Sequence, residues 1–297
     1  MRWVLSALGT LLLAAFVVAC KETPSNLEAK ATNTRVFQVK GTIKEIRPEG
    51  KKVRIAHEKI PGYMEAMTME FDVTNATELA GLTTNDLVSF RMIVTEKEGW
   101  IDQIKKVGVS PITESPSPDG FRRAREVEPL NLGDSLPDYQ FTNEFGQPFH
   151  LRDFKGQALG ITFIFTRCPY PNFCPRLSSN FAETHKTLKT LPDAPTNWHL
   201  LTVSFDPEFD TPATLRRYAQ GYNYDSNHWT FATGELIDIT ALAEQFGLYF
   251  WKENNTISHN VRTVVIDATG HVQWTTNQNE WKPELLVEQM LKAARSK

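Results

Sequence analysis

Two cysteines with five residues between them, Cys168 and Cys174, lie in TRCPYPNFCPR, directly after the apolar run QALGITFIF. Pro169 and Pro171 keep the intervening segment out of a helix. Pro175 suits a first helical turn, which puts Cys174 at a helix N-terminus, where the macrodipole favours thiolate over thiol. By spacing alone the pair also fits a small structural disulfide. A dithiol at a strand-to-helix turn is equally a place for redox or metal chemistry. The third candidate is His259, in Ser258-His259-Asn260, a loop ahead of the apolar run VRTVVID. A lone histidine is usually a surface or hydrogen-bonded residue. Facing a dithiol, it becomes a donor, and two thiolates with one imidazole make a trigonal site suited to copper(I).

A second cluster stands far upstream. HEKIPGYMEAMTMEF holds His57, Met64, Met67 and Met69, so three of the six methionines fall within six positions of one another. Met67 and Met69, two apart, share one face of a strand with Phe71, and His57 ends the preceding strand. Methionine on a strand face is ordinarily core filler. Beside a histidine, this density of thioethers selects soft copper(I) over zinc or magnesium.

The surrounding elements divide the chain. From 35 to 109 five short alternating runs (VFQVKGTIKEI, KVRIAHEKI, MTMEFDV, DLVSFRMIV and WIDQIKKVGV) predict a small OB-like barrel, or a looser sandwich. Residues 110–128 carry Pro111, Pro116 and Pro118 among Ser, Thr and charges, and read as a linker that permits contact between domains without fixing a geometry. From 129 to 297 the pattern changes to buried strands and helices. QALGITFIFTR and WHLLTVSFD read as strands, and PRLSSNFAETHKTLKTL as a helix. TPATLRRYAQGY is a helix capped by Thr211, ELIDITALAEQFG a helix stopping at Gly247, VRTVVIDATGHVQWTT two strands, and WKPELLVEQMLKAARS a closing helix. That order is the thioredoxin plan. The fold class expected is β + α/β, a small OB-like β-barrel followed by a thioredoxin-like α/β domain.

The beginning of the chain sets the compartment. Arg2 and the apolar stretch 7–19 have signal-peptide proportions, and Val17-Val18-Ala19-Cys20 resembles a bacterial lipobox ending in a lipidated cysteine. An ordinary signal peptide or a short anchor helix is the alternative. Residues 1–19 are then a leader, Cys20 the lipid attachment and 20–34 a polar tether. With Cys20 lipidated, the third cysteine of an odd set is accounted for, and Cys168 and Cys174 remain as one local pair. A net charge of −3, from 32 basic and 35 acidic residues, excludes a nucleic-acid binder reliant on basic surface.

FIFTRCPYPNFCPR, SFDPEFDTPATLRRYA and SHNVRTVVID together resemble the Sco/SenC family of copper-binding thioredoxin-like proteins, in the family's order. The resemblance implies Cys168, Cys174 and His259 as copper ligands and puts Asp206 and Asp210 in the family's acidic segment. The five-residue cysteine spacing departs from the family's three. The AMTM segment resembles the CusF-like periplasmic copper-binding domain, which implies His57, Met67 and Met69 as ligands. The family's capping tryptophan falls at Met64, a further candidate ligand, and the His-to-Met interval is one residue shorter. The combined expectation is an extracytoplasmic, membrane-anchored copper metallochaperone. Its expected partner is a copper acceptor such as the binuclear site of a cytochrome c oxidase subunit, and no catalytic acid or base is required. The alternatives are a thiol–disulfide oxidoreductase or peroxidase using Cys168 and Cys174 as a redox pair, or a copper scavenger. Thioredoxin-type oxidoreductases place a cis-proline opposite their cysteines, and no proline lies between Pro212 and Pro283.

Overall fold

Alternation of apolar and polar residues builds the first sheet. The structure, a computed structural model, describes residues 34–47, 51–110 and 127–296. The leader, Cys20, the tether up to residue 33 and most of the linker therefore lie outside the described residues. Strands β1 (Arg35–Ile46), β2 (Lys52–His57), β3 (Met67–Asp72), β4 (Asp86–Val94) and β5 (Gly99–Val109) match the five expected runs. They pair antiparallel in the order β3-β2-β1-β4-β5. A parallel bridge between Val73 and Ile101 brings the two edges of the sheet together, so the ladder curls towards a barrel instead of leaving long bare edges. Inward-facing Val53, Ile55, Met69, Phe71 and Phe90 fill its interior.

The second sheet has seven strands: β6 (Gln140–Asn143), β7 (Pro148–His150), β8 (Ala158–Ile164), β9 (Trp198–Ser204), β10 (Trp229–Thr233), β13 (Thr263–Ile266) and β14 (Val272–Thr276). Their order is β14-β13-β8-β9-β10-β6-β7. Central β8 and β9 are parallel and buried along their whole length, which is why their sequences are mostly apolar. Helix α1 (Cys174–Thr190) crosses between them. With α2 (Pro212–Gln220) and α4 (Pro283–Ala294) it supplies Leu177, Phe181, Leu215, Leu286 and Met290 to one apolar cluster on the sheet. Helix α3 (Leu236–Gln245) contributes Ile239 and Leu242 to a second cluster. Thr211 caps α2 as expected, its side chain accepting from the Thr214 N–H.

Five strands lie outside the runs that the sequence marks as strands. The β6–β7 hairpin and β10 are too short, and too interrupted by Asn, Gly and Thr, to declare a period. A separate hairpin, β11 (Phe250–Glu253) with β12 (Thr256–His259), occupies the segment read as a loop. Asn254, at a φ of 56°, makes its turn in the left-handed region that asparagine tolerates. His259 is accordingly the last residue of a strand, held in register opposite Phe250. No helix among the described residues is long and apolar enough to cross a membrane.

Two core histidines give the fold a pH dependence. Burial pushes both His185 and His199 down from 6.5 to about 4. A depressed folded value means that the unfolded chain takes up protons first as pH falls, so stability present above 6.5 is lost on the way down to 4. The loss should reach about 2 kcal/mol per histidine by about pH 5. Thermal unfolding between pH 7 and pH 4.5 should show a steep fall that His199→Gln makes shallower. A midpoint that stays flat across this range would contradict the assignment.

Candidate metal centre

The end of β8 leads into the first donor. Asp210 fixes this turn: its carboxylate accepts from the Thr166 N–H at 2.9 Å, from the Thr166 hydroxyl, and from the Ser204 hydroxyl at 2.5 Å. Asp206 pairs with Arg167 at 2.6 Å, and the Arg167 guanidinium lies 4.3 Å from the centre of the Phe209 ring. Both aspartates of the acidic segment therefore brace the residues that lead to Cys168. One turn later Cys174 opens α1, with Pro175 in the first turn as expected.

The donor atoms of Cys168, Cys174 and His259 all lie within 4.8 Å of one another. Both cysteines are free thiols in this structure. His259 Nε2 is 3.9 Å from Cys174 Sγ. At the other side of the ring Nδ1 lies 2.7 Å from the Asn260 carbonyl, so Nδ1 carries the proton and Nε2 presents its lone pair to the sulfurs. The rings of Phe165, Phe173 and Phe205 surround the imidazole, with centroids 5.6, 5.7 and 5.0 Å away.

The two thiols are unequal. Burial by itself raises Cys168, yet the hydrogen bond with Cys174 holds it well below the usual thiol range. Burial pushes Cys174 well above that range, and the charge of Cys168 adds to it. The thiolate thus falls on Cys168, not on Cys174 as the helix position suggested. At Cys174, which has no exposed surface, desolvation outweighs the macrodipole.

In the smaller domain the β2–β3 register sets His57 opposite Met67 and Ile55 opposite Met69. His57 repeats the arrangement at His259: its Nδ1 lies 2.7 Å from the Glu58 carbonyl, and its buried Nε2 has no hydrogen-bond partner. Burial lowers its pKa and keeps the imidazole neutral, as a metal ligand must be. Met64 arrives by a separate route, a short bridge in which it exchanges backbone hydrogen bonds with Ile60 at 2.8 and 2.9 Å. All three methionines are buried.

A cavity of about 20 Å³ is lined by Met64, Met67 and Met69 together with Cys168 and His259. Its donors come from both domains. His57 is not among its lining residues and pairs with Met67 across the β2–β3 ladder. The expectation that residues 110–128 leave the domain geometry unfixed is therefore corrected. Specific hydrogen bonds and packing seat the smaller domain on the dithiol. The residues responsible, Tyr170 and Asn172 above all, were missed because nothing in a lengthened cysteine loop says what it packs against.

Residues 129–295 match the family model described as SCO1/SenC, and residues 36–106 match that of the copper binding periplasmic protein CusF. The chain is 30% identical over 107 residues to a SCO1 protein homolog of Bacillus subtilis, covering 36% of this chain and 52% of that protein. It is 31% identical over 86 residues to the mitochondrial SCO2 homolog of Mus musculus, covering 29% of this chain and 32% of that one. The matches thus span about half, or less, of those relatives' own lengths. A solved SCO1/SenC family lipoprotein from Bacillus anthracis str. Ames aligns with a TM-score of 0.50 at 29% identity, over 56% of this chain and 98% of that one.

Proposed function

The chain belongs to the SCO1/SenC family, with a CusF-like region ahead of the family domain, and on that footing we propose that it is a copper(I) metallochaperone. The observation that carries this reading is the clustering of two sulfurs and one imidazole nitrogen within 4.8 Å, with the nitrogen's lone pair turned inward. Such a donor set favours a soft, low-coordinate ion. Cys168, Cys174 and His259 hold the cargo on the larger domain. His57, Met67 and Met69, with Met64, hold it on the smaller one. Thioethers bind copper(I) more weakly than thiolates do, so the gradient within the chain runs from the smaller domain to the larger.

Delivery is to an acceptor protein outside the cytoplasm, and family membership supports the binuclear copper site of a cytochrome c oxidase subunit. The lipobox-like VVAC supports anchoring of the chain to a bacterial membrane through lipid on Cys20. The copper-loaded Cys20→Ser chain tests both statements. It is expected in the soluble fraction, and a variant that still pellets with membranes contradicts the anchor. Mixed with the apo copper domain of an oxidase subunit, it should hand over its metal, as chromatography and metal analysis would show. Copper that stays on the chain points to a scavenger. Efficient disulfide or peroxide turnover without metal points to an oxidoreductase.

A further inference from the structure

Met64, Met67 and Met69 of the smaller domain and Cys168 and His259 of the larger one face one cavity, and the segment between the two cysteines packs into the smaller domain beside it. Tyr170 leaves the larger domain altogether and enters the core of the smaller one, 2% exposed, with its ring 6.0 Å from that of Phe71. It fits only because position 99 is glycine. A Cβ on Gly99 would lie 2.4 Å from the tyrosine ring, well inside any real contact. Two residues on, buried Asn172 works as a double clamp. Its Oδ1 accepts from the Gly99 N–H at 2.8 Å, and its Nδ2 donates to the Gly99 carbonyl at 2.7 Å and to Asp72 at 2.6 Å. Every polar atom of that side chain is thus used on the other domain. An amide so placed is costly to bury anywhere else. From the opposite side the β11–β12 turn grips the methionine strand. Glu253 accepts from the Thr68 N–H at 3.1 Å, and Asn254 donates to the Ala66 carbonyl. These two backbone groups flank Met67.

We propose that this docked arrangement creates one composite copper(I) pocket, in which the thioethers of the smaller domain and the Cys168–His259 face of the larger one hold the same ion during handover. On this view the inter-cysteine segment is the latch that aligns them. The inference rests on the copper-chaperone reading above and adds a route to it. A cavity of about 20 Å³ has room for one ion or one water, not for an organic substrate. All of its candidate ligands are soft sulfur or imidazole donors. Copper stays in the +1 state throughout. A thioether–copper bond breaks as each thiolate–copper bond forms, no electron moves, and the proton displaced from Cys174 leaves to solvent. The ion passes without being released, and the extra length of the cysteine loop is the part that makes this possible.

The test follows the methionine methyl groups of the full-length reduced chain by NMR, using 13C-methyl methionine, while thiol alkylation is measured in parallel. One equivalent of copper(I) should protect the thiols and shift the methyl signals of Met64, Met67 and Met69, leaving Met92 and Met290 unmoved. Gly99→Val, which fills the Tyr170 position, and Tyr170→Ala, which removes the latch without adding bulk, keep every proposed ligand. In either variant the first equivalent should still protect the thiols but leave the methyl signals at their metal-free positions, and only a second should move them. If Gly99→Val does not fold, as judged by circular dichroism, Tyr170→Ala carries the test alone. The proposal is overturned if wild-type methyl signals do not move while the thiols are protected. It is equally overturned if they move identically in the variants. Thiols that copper never protects would instead remove the chaperone reading itself.

Discussion

Cys174→Ser is expected to weaken copper(I) binding by the larger domain more than about 100-fold. Groups that merely orient a metal's ligands change affinity by roughly 10–100-fold, so loss of a ligand atom should exceed that range. Cys174 has no exposed surface and sits at the first position of α1, so no other side chain can take its place without moving the helix. A serine hydroxyl there is a hard, neutral donor that copper(I) discriminates against. Cys168→Ser should do similar damage, since it removes the thiol held as thiolate. Competition with a chromophoric copper(I) chelator measures both. An affinity for either variant within tenfold of wild type would mean that the dithiol is not the site.

The second large effect falls on stability. Asp210→Ala should destabilise the protein by about 3 kcal/mol or more, because each buried donor left without an acceptor costs about 1–3 kcal/mol. The carboxylate has no exposed surface and serves the Thr166 N–H, the Thr166 hydroxyl and the Ser204 hydroxyl, tying the end of β8 to the end of β9. For a domain of this size that loss lowers the midpoint of thermal unfolding by roughly 6–12 °C. Asp210→Asn, which keeps an acceptor oxygen, should cost less. Because Asp210 sets the approach to Cys168, Asp210→Ala should also weaken copper binding, although it touches no metal. A midpoint within about 2 °C of wild type would show that neighbouring groups satisfy those donors.

The sequence revealed more of the chemistry than of its placement. Cys168, Cys174, His259, His57 and the methionines stand out by residue type and spacing, because soft donors are scarce and these are concentrated, and the two family resemblances imply them as copper ligands. The five strands ahead of the linker and the buried β8 and β9 followed from period and apolar runs. His259 ends β12, although its sequence reads as a loop, since a four-residue strand of Thr, Ile, Ser and His has no period to declare. The helix N-terminus, visible in sequence, points to Cys174 as the thiolate, whereas the burial that works against it is a property of the assembled fold. Tyr170 and Asn172 were the largest omission. Their partners Phe71, Asp72 and Gly99 belong to another domain some 70–100 positions upstream.

The atoms that surround the metal decide between these functions, and copper-edge X-ray absorption of the reduced chain carrying one equivalent of copper(I) reads them directly. The expected spectrum shows a low-coordinate copper(I) ion whose first shell is dominated by sulfur with one nitrogen, and His259→Ala removes the nitrogen while the sulfur remains. A first shell made of nitrogen and oxygen alone, or one unchanged when Cys168 and Cys174 are alkylated beforehand, would contradict it.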